Sequence, residues 1–165
     1  MTPAADAAPW LVWLEQSGLG VAMRQWRWLY PVVEIVHISG FVLLVGAAAM
    51  FDLRLLGVSR RLPTEGMARH LLPWARAGFT LVLPTGLMMF VAHAGEMATN
   101  PAFRLKLVLI AAALLNAGIF HRGVFRSVTA WDAAIPLPVA ARLAAIASLL
   151  LWTGVIACGR LLAYF

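Results

Sequence analysis

A single cysteine in 165 residues excludes a disulfide framework and a thiolate zinc site. Cys158 stands alone in an apolar run and reads as a small packing residue. Charge is scarce as well. Asp, Glu, Lys and Arg make up 12% of the chain, against about 25% in soluble domains. That is too little to clothe a water-facing surface. The seven methionines are scattered, so no ladder of soft ligands for Cu(I) is evident. No internal repeat supports an inverted-repeat transporter. Met1 to Pro9 holds an aspartate and no basic residue, which reads as no signal peptide.

What the chain has is hydrocarbon. Hydrophobic residues reach 62%, where a soluble domain has about 45–50%, and the mean hydropathy is +0.85. Four apolar runs reach the roughly 20 residues needed to cross a bilayer: residues 30–51, 71–95, 103–121 and 139–164. The expectation is an all-α integral membrane four-helix bundle over residues 30–165. Residues 1–29 form a tail and an interfacial amphipathic segment, because Trp10, Trp13, Trp26 and Trp28 flank a stretch broken by glycines and by Glu15, Gln16, Arg24 and Arg27. Asn100 before Pro101 reads as a helix N-cap. Pro84 frees the carbonyl near Thr80, for the Thr85 hydroxyl or a neighbouring helix to satisfy.

The net charge of +6 would suggest nucleic acid in a soluble protein. Here the basic residues sit in short loops between apolar runs, so the partner is the lipid bilayer, not nucleic acid. Arg54, Arg60, Arg61, Arg69, Arg76, Arg122, Arg126 and Arg142 fall on one side; Arg24, Arg27, Arg104, Lys106 and Arg160 fall on the other. By the positive-inside rule both termini lie outside, with the chain multi-pass in a bacterial inner (cytoplasmic) membrane. The aromatic belt and interfacial segment also suit docking to a redox partner protein or another membrane subunit.

Ionisable groups inside such runs mark functional sites by default. Glu34 and His37 are three apart in the first run and share a face. His37 lies about 10 Å below the outer end and His93 roughly 3–5 Å below it, so the two are candidates for one layer. Paired histidines from two helices hold a b-type haem, each giving one nitrogen to iron. Gly40 and Gly86 are candidates to open room for the macrocycle, and Arg27, Arg104 and Lys106 to hold its propionates. Glu34 would tune the site or relay a proton, or pair with Lys106 across the bundle. His121, His70 and Met89 are alternative ligands; His70 and His121 fall at the other membrane face. Each histidine has a plainer reading too, as an interhelical hydrogen-bonding or interfacial residue.

Trp13-Leu-Glu-Gln-Ser-Gly-Leu-Gly20, Trp28-Leu-Tyr-Pro-Val-Val-Glu-Ile-Val-His37, Phe51-Asp-Leu-Arg-Leu-Leu-Gly57, Leu83-Pro-Thr-Gly86 and Arg104-Leu-Lys-Leu-Val-Leu-Ile110, leading to Asn116, follow one another in order. Their order resembles a bacterial family of four-helix membrane proteins of unknown function, over nearly the whole chain. More distantly the chain is similar to the copper-resistance D family and the HemJ type of protoporphyrinogen oxidase. Those share a helix-one histidine, matched by His37, and a basic residue opening helix three, matched by Lys106; His121 matches a late helix-three histidine of the HemJ group. The resemblance implies haem b binding, redox work at the membrane, or copper transfer. The sequence therefore predicts a membrane haem b protein that carries electrons near the outer leaflet. A porphyrin-oxidising enzyme, a copper-handling protein and a cofactor-free structural subunit stand as alternatives.

Overall fold

The structure, a computed structural model, describes residues 8–59, 61–128 and 137–164. Arg60 and the first seven residues of the N-terminal tail lie outside them. Every regular element among the described residues is helical: α1 (Pro9–Gln16), α2 (Gly18–Gln25), α3 (Leu29–Leu55), α4 (Thr64–Ala92), α5 (Ala94–Thr99), α6 (Pro101–Arg122), a 3-10 turn (Val124–Ser127) and α7 (Val139–Leu161). Helices α3, α4, α6 with its 3-10 extension, and α7 are long and apolar enough to cross a membrane. The protein is an all-α membrane bundle.

Two antiparallel hairpins build it. Helix α3 packs along α4 and α6 along α7; α3 and α7 join the hairpins. No Cα of α6 comes within 8 Å of α3 or α4. Helix α6 therefore stands off from the first hairpin, and side chains bridge the gap. Phe90 and Phe103 stack across it near the α1–α2 end, with centroids 5.5 Å apart. Phe51 meets Phe120, His121 and Phe125 across the opposite end.

The α3–α4 contact is close because two glycines face each other. A Cβ on Gly40 would lie 2.8 Å from the Leu81 Cβ, and one on Gly78 would lie 2.5 Å from the Gly40 carbonyl oxygen. Small residues let membrane helices approach backbone to backbone, where dispersion and not water exclusion drives packing. The turn out of α3 is a Schellman motif. The Val58 N–H donates to the Leu53 carbonyl at 2.9 Å and Gly57 to Arg54 at 3.0 Å, with Gly57 at φ 104°, a conformation glycine adopts without strain. Asn100 caps α6, its Oδ1 accepting from the Ala102 and Phe103 N–H groups at 2.9 and 3.2 Å.

The N-terminal segment is helical, as the sequence reading expects, whereas the bounds of α4 depart from it. The segment around residues 8–28 folds into two eight-residue helices, α1 and α2, divided at Ser17, whose hydroxyl accepts from the Gly20 N–H at 3.2 Å. Leu11 and Met23 are buried while all four tryptophans of the segment are exposed. Helix α4 begins at Thr64, seven residues before the apolar run, because the polar stretch continues as helix with an Arg69–Glu65 pair at 2.9 Å on its surface. It also stops at Ala92, short of the expected 95. There Arg24 donates to the Ala92 carbonyl at 2.8 Å, and Glu15 accepts the Gly95 N–H at 2.8 Å. Side chains of α1 and α2 thus satisfy both orphaned ends of the break, and His93 between them leaves the helix at φ −141°, ψ 47°. Arg24→Ala should lower stability by about 1 kcal/mol, the low end for a hydrogen bond from a charged group because the side chain is exposed. Thermal unfolding in detergent would measure it.

Candidate functional site

His37 points from α3 onto α4. Its Nδ1 lies 3.0 Å from the Thr85 Oγ1. The direction of that bond follows from the hydroxyl's other partners. Thr85 has one proton to give, and it goes to the Leu81 carbonyl at 2.6 Å, with Val82 at 3.2 Å. Oγ1 must then accept, so the assigned tautomer carries its proton on Nδ1. The Val82 carbonyl is a second acceptor beside the ring. Gly86 makes the approach possible: a Cβ there would sit 3.1 Å from the His37 Cε1 and 3.6 Å from Nδ1. The ring presents its Nδ1–Cε1 edge to Gly86, and this tautomer places the lone pair on Nε2. A histidine fixed through Nδ1–H, with its lone pair on Nε2, is prepared as a metal ligand. The Thr85 hydroxyl reaches Leu81 and Val82, not the Thr80 carbonyl that Pro84 releases.

Lys106 is the cation of this region. Its charge reaches the His37 imidazole, and its Nζ lies 3.5 Å from where a Gly159 Cβ would stand, beside buried Cys158. Glu34 is on the exposed face of α3 and forms no ion pair with Lys106 among the described residues. The sequence reading joined the two because helical spacing fixes which residues share a face, not which way that face looks.

His93 is also apart from His37. The His37 ring abuts Gly86, and His93 is seven residues further on, just past the end of α4. The His93 ring packs edge-on to Tyr30, centroids 5.9 Å apart, and Tyr30 is seven residues before His37 on α3. Each path covers about two helical turns, roughly 10 Å of backbone rise. That spacing argues against one iron taking both nitrogens. The glycine roles change as well: Gly40 is occupied by the packing of α4, and Gly86 by the His37 ring. Neither leaves room for a macrocycle between α3 and α4. Arg104 donates to the Ala98 carbonyl at 2.7 Å and Arg27 lies over the Trp28 ring at 5.3 Å, both exposed at the α1–α2 end. Met89 packs against the Met23, Val33, Ala92 cluster beneath α2. His70 is exposed at the opposite end. His121, also there, stacks on Phe51 with an interplanar angle of 19°.

His37 offers a ring nitrogen and Lys106 a cation, the donor types a haem needs, while the close approach at Gly40 and Gly86 keeps a macrocycle out from between α3 and α4. One residue the sequence reading passed over is Asp52. It is buried, lines a cavity with His121, Asn116 and Ser148, and stands one residue beyond the expected end of the first span. An acid at the edge of an apolar run looks like loop; only its inward direction sets it apart.

Spanning helices around an inward-facing histidine and lysine define a multi-pass four-helix membrane protein. Residues 10–165 match a family of unknown function (DUF6644), and the chain belongs to that family. No curated protein and no solved structure matches it.

Proposed function

We propose that this chain is a b-type haem protein of a bacterial inner membrane, handling electrons near the outer leaflet, with His37 as an axial ligand. The observation that carries the reading is the Thr85 Oγ1–His37 Nδ1 hydrogen bond, which places the lone pair on Nε2. Bound haem would supply one-electron chemistry. The chain's own residues would hold it: His37 at the iron, Lys106 as the half-buried positive charge for a propionate, Arg27 and Arg104 as cations at the α1–α2 end. The eight-to-five distribution of Lys and Arg supports an outer position for that end, where a redox partner protein or membrane subunit would dock. The test is the dithionite-reduced minus oxidised spectrum of the detergent-purified protein with a pyridine haemochrome assay. A b-type spectrum with close to stoichiometric haem is expected; a folded, colourless protein from haem-sufficient cells would overturn the reading.

The separation of His37 from His93 favours a second reading, a HemJ-like enzyme that oxidises a porphyrin. In that reading His37 and Lys106 would contact the porphyrin, and Lys106 has no carboxylate at ion-pair distance among the described residues. Carbon monoxide separates the cases. A shift of the reduced Soret band reports an open position and turns the search to porphyrin substrates; no shift reports a second protein ligand and an electron carrier.

Thr85→Val keeps the shape and removes the acceptor for Nδ1–H. Loss of such a supporting bond weakens metal retention about 10–100-fold. A ligand imidazole that no longer donates is also less basic, so the midpoint potential should rise. Redox titration and haem loss to apomyoglobin would measure the two effects.

A further inference from the structure

At the end of the bundle opposite α1 and α2 lies a cavity of about 140 Å³ between α3, α4, α6 and α7. Of its nineteen lining residues only Asp52, Asn116, His121 and Ser148 are polar; the rest are alanine, leucine, phenylalanine and one tryptophan. Asp52 is 6% exposed. It shares a hydrogen bond with Ser148, yet its Oδ2 has no partner among the described residues. Leaving a buried carboxylate oxygen unmatched in a membrane bundle costs more than a typical neutral group, so a donor is wanted at this point. Asn116 is already committed in part, its Nδ2 donating to the Ala144 carbonyl at 2.9 Å.

We propose that this cavity binds the head group of a lipid-soluble hydroquinone, one ring hydroxyl donating to Asp52 Oδ2 and the other facing His121. Three observations favour a ring over water. The volume is close to the ~150 Å³ of an apolar cavity that accepts benzene. The lining offers flat apolar contact and few partners for a water cluster. The cavity also reaches the bundle surface sideways: Leu114 and Ala117 line it and are exposed, near the middle of α6, where α6 stands away from α4. An opening at that depth admits what dissolves in lipid. Binding alone is proposed, and it stands independently of the haem reading.

The experiment is isothermal titration of the purified protein in micelles with trimethylhydroquinone, kept reduced under nitrogen, against protein-free micelles. Saturable binding is expected, with its dimethyl ether, the same ring without a donor, failing to saturate. Asp52→Asn should weaken binding about tenfold or more, and Ala117→Trp, which fills the opening, should abolish it. Both variants are checked for wild-type elution and melting; if Asp52→Asn does not fold, Ala117→Trp and the ether decide. No saturable binding to the wild type, equal binding to Asp52→Asn, or equal binding of the ether would each overturn the proposal.

Discussion

On the proposed haem reading, the His37→Ala protein should fold and insert but carry almost no haem. The two halves of that expectation have separate physical grounds. Removing the imidazole empties a half-buried notch against Gly86 and deletes one hydrogen bond. It does not orphan Thr85, whose hydroxyl still donates to the Leu81 carbonyl at 2.6 Å. The cost to stability is therefore about 1–2 kcal/mol, and the α3–α4 crossing lies a turn deeper, at Gly40 and Gly78. The cost to haem is much larger. Removing a supporting partner of a metal ligand costs about 10–100-fold in affinity, and removing the ligand itself must exceed that. His37→Gln separates structure from ligation, since an amide can restore contact with Thr85 without offering iron a nitrogen lone pair. His93→Ala is the counterpart. With its ring two turns away and against Tyr30, that variant should keep its haem and its spectrum. Haem per chain by pyridine haemochrome, beside melting followed by circular dichroism, tests all three. Full haem in His37→Ala would end the assignment.

The four spans were legible because spanning hydrocarbon demands length and apolarity, and the sequence states both. Asn100 was legible because capping is local chemistry. The break at His93 was not. It rests on Arg24 and Glu15, each more than sixty residues away along the chain, and no local signal announces them. The inward faces were illegible for a different reason. In water an amphipathic stripe marks the core; in lipid the outside is as apolar as the inside, and periodicity loses its meaning. Glu34 and His37 share a face by spacing, yet Glu34 is exposed while His37 is half-buried against α4. Gly40 and Gly86 looked alike as small residues in apolar runs. The structure gives Gly40, together with Gly78, to a helix crossing and Gly86 to a histidine ring.

That crossing yields the largest structural effect. Gly78→Ala should cost about 1–3 kcal/mol or more. The new Cβ would meet the Gly40 carbonyl oxygen at 2.5 Å and the Leu44 nitrogen at 2.6 Å. Both are backbone atoms of a continuous helix, so no rotamer change relieves the clash, and α4 must move away from α3. Gly46 is the control, on the same α3, with nothing within 4 Å of its added Cβ. Gly46→Ala should be neutral or stabilising by up to about 1 kcal/mol, because alanine is the better helix former. If the two substitutions shift the detergent unfolding midpoint alike, the close crossing is not what holds the hairpin. The displacement also has a functional consequence. Gly86 and Thr85 are two turns beyond Gly78 on α4, and with the Val82 carbonyl they orient the His37 ring. Pushing α4 outward lengthens the Nδ1–Oγ1 bond from its 3.0 Å, so Gly78→Ala should loosen haem as Thr85→Val does, without touching the site. Double substitution tests the route: if Gly78→Ala acts through that bond, adding Thr85→Val to it will weaken retention by less than the product of the two single effects.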